Sequence, residues 1–181
     1  MKQTNWYVIT GGPCSGKTTV VEILKKKGYK TATEIGRHYI ASRLTSGETI
    51  EQINADPAKK QEDIFQLHVR QEATLPENEH IFFDRALPDV LAYHDFYDAS
   101  VPSHMIEAYK NSKYRMIFYF EQLPMKNDSV RVESDEDAKA IASYIYKRYK
   151  ALGIPMVTVP VMDIDARVKF VLKHIHQGDH K

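Results

Sequence analysis

The apolar run Trp6 to Ile9 leads directly into Gly11-Gly12-Pro13-Cys14-Ser15-Gly16-Lys17-Thr18-Thr19, and the helical pattern Val20, Val21, Ile23, Leu24 follows without a gap. Strand, glycine-rich loop and helix in that order form the setting of a P-loop. The glycines free consecutive main-chain N–H groups to converge on phosphate oxygens at the positive end of a helix. Lys17 adds a full charge directed at the β and γ phosphates, and the Thr18 hydroxyl is placed to hold Mg²⁺. The pattern therefore predicts binding of a nucleoside triphosphate. Cys14 stands at a variable position of the loop, where a thiol is either a passive small residue or a point of sensitivity to oxidation.

A length of 181 residues with 43% hydrophobic content suffices for one domain, spanning 1–181, with a full core. Lys plus Arg number 25 against 24 Asp plus Glu, so no global field draws the chain to nucleic acid or to a membrane surface, and anion binding must be local. The single cysteine excludes an internal disulfide framework and a Cys-rich zinc site. The N-terminus lacks the regions of a signal peptide, and no apolar stretch approaches a membrane span. A cytoplasmic protein, monomeric or homodimeric, is expected.

Strand patterns at Tyr7 to Thr10, Gly28 to Thr33, Ile81 to Asp84, Met116 to Phe120 and Met156 to Val159 alternate with helical ones. The helices are expected near Thr18 to Lys27, Ile35 to Thr45, Ala58 to Leu75, Leu87 to Tyr97, Glu136 to Leu152 and Ile164 to His176. This alternation predicts an α/β fold with a parallel sheet covered by helices on both faces. Pro124 to Asp137 combines Pro, Asn, Asp, Ser and charge with few core-forming residues, which predicts a mobile excursion.

Open parallel sheets bind ligands at the carboxyl ends of their strands. The second strand ends at Thr33-Glu34 with Arg37 close behind, and the third ends at Asp84-Arg85, so each delivers a carboxylate and an arginine to the P-loop edge. Ile81-Phe82-Phe83-Asp84 has the form of a Walker B strand, carrying a hard oxygen ligand to Mg²⁺ or its water shell; the plainer alternative is an acid opening the next turn. Glu34 is the candidate general base for a substrate hydroxyl, or else a surface acid paired with Arg37 at i+3. Arg85 is poised to hold phosphate or acceptor, and Asp89 either binds substrate or supports Arg85.

The P-loop, then Thr33-Glu34-Ile35-Gly36-Arg37, then Phe83-Asp84-Arg85-Ala86-Leu87-Pro88-Asp89-Val90-Leu91-Ala92-Tyr93, then Asn127-Asp128-Ser129-Val130-Arg131, together resemble the NadR-like AAA domain family. That family resembles the kinase domain acting on ribosylnicotinamide and, more distantly, the nucleoside and nucleoside-monophosphate kinases. The resemblance implies a P-loop NTPase three-layer sandwich, with a five-stranded parallel sheet in order 2-3-1-4-5 and a short lid at about 124–137. It gives Arg131 the role of a lid arginine that stabilises charge on the transferring phosphoryl group. Cys14 stands where a glycine is common in relatives, and only one clear lid arginine is present.

The expectation is an ATP-dependent (or GTP-dependent), Mg²⁺-requiring phosphotransferase acting on a small nucleoside-like metabolite. Lys17, Glu34, Asp84, Arg85 and Arg131 would be catalytic, Thr18 and Asp84 the metal partners, and Glu34, Arg37, Arg85 and Asp89 the acceptor contacts. A nucleotide-dependent switch with a protein or lipid partner is the alternative; an acceptor cavity blocked by side chains would favour it. His174, His176 and His180 lack a supporting acid or cysteine pattern for a metal.

Overall fold

The glycines that shape the phosphate loop also decide where its flanking elements begin. In the computed structural model, which describes residues 3–123 and 134–178, β1 (Trp6–Thr10) ends at Gly11 and α1 (Lys17–Lys26) starts from Gly16. Gly11 and Gly16 both have positive φ, at 139° and 79°. A Cβ on Gly11 would stand 2.4 Å from the Phe120 carbonyl oxygen, so that position admits no side chain. Beyond the end of α1 the chain turns at Gly28, φ 92°, and Tyr29 N–H donates to the Leu24 carbonyl to close the helix. The second strand is consequently shorter than its pattern suggested: β2 covers Lys30–Ala32, because Gly28 and Tyr29 serve the helix terminus.

After β2 come α2 (Ile35–Thr45), α3 (Ile50–Asn54), α4 (Pro57–Thr74), β3 (Ile81–Asp84), α5 (Leu87–Phe96) and α6 (Ser103–Lys110). The chain continues through β4 (Met116–Phe120), α7 (Asp135–Ala151), β5 (Met156–Val159) and α8 (Ile164–Gly178). The five strands form one parallel sheet in the order β2-β3-β1-β4-β5. Registers of Ile9 with Asp84 and of Ala32 with Phe83 bring the ends of β1, β3 and β2 to one edge.

Alternation along β1 divides the core. Trp6 and Val8, with Ile81, Phe83 and Ile117, pack against Ile141, Ile145 and Tyr149 of α7 and Ala92 of α5. Tyr7 and Ile9, with Phe82 and Phe118, pack against Val20 and Leu24 of α1 and Val168 and Val171 of α8. Strands buried on both faces read as continuous apolar runs, as Ile81-Phe82-Phe83 does. Full burial of each such side chain contributes about 1.5–3 kcal/mol relative to exposure.

A third cluster, remote from the sheet centre, joins Ile35 and Tyr39 of α2, Ile53 of α3, Ile64 and Phe65 of α4, Leu87 and Leu91 of α5 and Met105 of α6. α3 and α6 are additions to the sequence-based reading. α3 carries a legible signal, a Thr49/Gln52 capping box, but at five residues its apolar period is too short to register. The segment expected as a lid divides: Asp135 to Asp137 are the first turn of α7, capped by Ser134, while 124–133 lies outside the described residues.

Candidate active site

Cys14 and Gly16 in left-handed conformation turn the P-loop, and Ser15 Oγ donates to the Gly12 carbonyl at 2.9 Å to close it. α1 then presents its unpaired first-turn N–H groups, the positive end of its dipole. Lys17 curls over the loop: its Nζ donates to the Gly12 carbonyl at 2.6 Å and to Ser15 Oγ at 2.9 Å. Burial, reinforced by the Arg85 charge, lowers the Lys17 pKa to about 7.

Glu34 is the N-cap residue of α2, but its carboxylate does not cap the helix. Instead Oε2 accepts from Thr18 Oγ1 at 3.5 Å and lies 3.3 Å from Arg37 Nε. Burial, followed by the nearby Asp84 charge, raises the Glu34 pKa above the usual carboxylate range, with Arg37 opposing. Asp84 is buried at the end of β3, and neither carboxylate oxygen has a hydrogen-bond partner among the described residues. A buried carboxylate without donors is costly unless a cation completes it.

Arg85 turns off the end of β3 with φ 67°, a left-handed conformation uncommon for a side chain of this size. Its N–H donates to the Ile9 carbonyl at 3.1 Å, its Nη1 to Asp89 Oδ1 at 2.9 Å, and its guanidinium lies 5.8 Å from the Tyr93 ring centroid. Asp89 is saturated with protein donors. Thr10 Oγ1 (2.7 Å) and Arg85 Nη1 reach Oδ1, while Ala86 N–H (3.0 Å) and Tyr149 Oη (2.5 Å) reach Oδ2. Asp89 thus holds Arg85 directly, and it also lines the cavity described next.

Most of these groups border a cavity of about 450 Å³. Pro13 to Thr19 form one wall, with Glu34 and Arg37 at its flank and Arg85, Asp89, Tyr93 and Tyr97 beyond. Gly11, Gly12 and Asp84 are not among the residues that line the cavity. Arg37 lies at the rim, its side chain 69% exposed. Arg131 falls outside the described residues.

The far wall contains residues that sequence reasoning missed. Gln61, Ile64 and His68 on α4 face the cavity at spacings of three and four, one face of a helix. Gln61 and His68 are nearly fully buried, and His68 Nδ1 has no hydrogen-bond partner among the described residues. Burial lowers the His68 pKa to about 4, so both side chains are neutral near pH 7. Polar residues at core positions of an amphipathic helix were the available signal. Among the described residues no cluster of three or more His, Cys, Asp and Glu could hold a metal ion, and no helix is long and apolar enough to cross a membrane.

An AAA domain family model matches residues 6–167. No curated protein sequence matches the chain significantly. Among solved structures, a deoxyadenosine kinase from M. mycoides is similar at 17% identity and a TM-score of 0.64, over 95% of this chain and 98% of that one. A thymidylate kinase from Ehrlichia chaffeensis is similar at 12% identity and a TM-score of 0.67, over 97% and 100%. A NadR protein in complex with NR is similar at 14% identity and a TM-score of 0.66, over 96% of this chain and 50% of the larger one. The family match runs through most of the chain, and this protein therefore belongs to that AAA domain family, with the fold shared by the deoxyadenosine kinase, the thymidylate kinase and the NadR protein.

Proposed function

We propose that this protein is a Mg²⁺-dependent kinase that transfers the γ-phosphate of ATP or GTP to a hydroxyl of a small nucleoside-like metabolite. The observation that carries this reading is the continuity of the cavity: it runs from the P-loop past Glu34 to a second wall on α4 and α5, leaving room for an acceptor. A nucleotide switch requires no such room. The kinase fold of the structural neighbours supports the same reading.

In this reading Lys17 and the loop N–H groups hold the β and γ phosphates. Glu34 takes the proton of the acceptor hydroxyl as that oxygen bonds to the γ-phosphorus. The bond from phosphorus to the β–γ bridging oxygen breaks, and its electron pair leaves with the nucleoside diphosphate. Arg85, fixed by Asp89, supplies positive charge beside the acceptor. The donor set suits Mg²⁺: the Thr18 hydroxyl and the unpartnered Asp84 carboxylate are hard oxygen ligands for the ion or its water shell. Bound there, the ion would neutralise charge on the phosphates. The neutral Gln61 and His68 side chains, beside Lys60 on the same wall, suit an uncharged polar group on the acceptor, as in a nucleoside.

Purified protein with Mg-ATP and with Mg-GTP, screened against nucleosides and small alcohols, tests the proposal by diphosphate release together with the mass of the phosphorylated product. Stimulation by one acceptor, with its phosphate ester formed, is the expected result. Diphosphate release that no acceptor changes would overturn the kinase reading in favour of a hydrolytic switch.

A further inference from the structure

Arg167, on α8, is completely buried and distant in sequence from every motif of the site. Among the described residues its three hydrogen-bond acceptors are main-chain carbonyls, each from a different segment. Nη1 donates to the Ser15 carbonyl inside the P-loop, Nη2 to the Glu121 carbonyl after β4 at 3.1 Å, and Nε to the Pro160 carbonyl after β5 at 3.1 Å. The guanidinium carbon lies 5.2 Å from the Phe120 ring centroid, and a Cβ on Gly16 would meet Nη1 at 3.4 Å.

Burying a guanidinium carries a desolvation cost, and among the described residues no carboxylate bonded to it offsets that cost. The arrangement has a geometric consequence for the loop. A trans peptide is planar, with its C=O and N–H on opposite sides. Holding the Ser15 carbonyl on the α8 side therefore directs the N–H of Gly16, the next residue, to the opposite side. A phosphate-binding loop needs its N–H groups to converge on the anion and its carbonyls turned away. Left to itself, a peptide flanked by a glycine in left-handed conformation is among the easiest to flip.

We propose that Arg167 is a positioning residue for the phosphate site: by clamping the Ser15 carbonyl to the ends of β4 and β5, it fixes the Ser15–Gly16 peptide in the orientation that receives a nucleoside polyphosphate. The fork of the guanidinium is suited to this task, because it spans three carbonyls at fixed angles whereas an ammonium is a single point. The clamp also ties the loop to the segments that follow β4 and β5. The inference rests on the reading of the P-loop as the nucleotide site.

The test compares Mg-ATP affinity by calorimetry in the parent, Arg167→Met, Arg167→Lys, Val168→Ala and Lys17→Ala, with a melting curve for each. Val168 is buried on the same helix but is not part of the site, so Val168→Ala reports the effect of loosening α8 alone. Arg167→Met is expected to weaken Mg-ATP binding by about tenfold or more, and Arg167→Lys by about threefold, since it keeps the charge and loses the fork. Val168→Ala should bind within about twofold of the parent. Should Arg167→Met fail to fold, Arg167→Lys carries the comparison. Parent-like affinity in the Arg167 variants, with weakened binding in Lys17→Ala, would overturn this inference alone. Equal losses in Val168→Ala would also overturn it, by tracing the effect to helix packing. Parent-like affinity in Lys17→Ala would instead remove the nucleotide reading on which it stands.

Discussion

Glu34 Oε2 accepts from Thr18 Oγ1 at 3.5 Å while lying 3.3 Å from Arg37 Nε. One carboxylate oxygen thus meets a hydroxyl from the end of the phosphate loop and a guanidinium from the rim. The arrangement couples the proposed base to the proposed metal partner, and it gives Arg37 an electrostatic part in setting the protonation of Glu34.

Glu34→Gln is expected to reduce acceptor phosphorylation by about 10²- to 10⁴-fold, the usual contribution of a general base, with nucleotide affinity nearly unchanged. In the parent, activity should be lost as pH falls through the raised pKa of Glu34, at a higher pH than for an ordinary carboxylate. Arg37→Ala removes a charge that favours the ionised form, so it should move that acid limb further up. Asp84→Asn should instead raise the Mg²⁺ concentration needed for turnover by about tenfold or more. Full acceptor phosphorylation by Glu34→Gln would refute the base assignment and make Asp84 the next candidate.

Lys17 has a pKa near 7 in the free protein, so at about pH 8 most molecules carry it neutral. Triphosphate oxygens favour the charged form, and binding at that pH should draw a proton from the buffer. At about pH 6, where Lys17 is already charged, this uptake should vanish. Calorimetry in buffers of different ionisation enthalpy measures it. Lys17→Ala should abolish the uptake and depress turnover more than diphosphate affinity; persistent uptake in that variant would assign the proton elsewhere.

Asp89→Asn removes the charge that four donors share and is expected to destabilise the fold by about 3 kcal/mol, read from denaturant unfolding. Tyr149→Phe deletes one of those donors and should cost about 1–2 kcal/mol. Because Arg85 is held through the same carboxylate, Asp89→Asn should also lower kcat/KM for the acceptor at temperatures where the variant is folded. A stable, fully active Asp89→Asn protein would remove Asp89 from the support of Arg85.

Gln61→Leu and His68→Leu preserve approximate bulk while deleting the polar atoms on the α4 wall. Each should lower acceptor kcat/KM by about 10- to 100-fold and leave Mg-ATP affinity unaltered, since the P-loop forms the opposite wall. Equal losses in nucleotide affinity would move these residues out of the acceptor subsite.

By itself the sequence determined the P-loop, the β-α alternation, and the arrival of Glu34, Asp84 and Arg85 at the carboxyl edge of the sheet. Those are local properties: glycine placement, apolar period and the residue at the end of each strand act through neighbours in the chain. The strand order followed only by resemblance, and the register that pairs Ile9 with Asp84 belongs to the folded sheet. Tertiary structure alone decided that Asp89 faces Thr10 and Tyr149, that Gln61 and His68 turn a buried helix face toward a cavity, and that Arg167 reaches Ser15 across 152 positions of sequence. A polar residue within an apolar helical pattern is ambiguous until the neighbours of that face are known. Buried donors must find acceptors wherever packing supplies them, and packing joins segments whose separation no local pattern encodes.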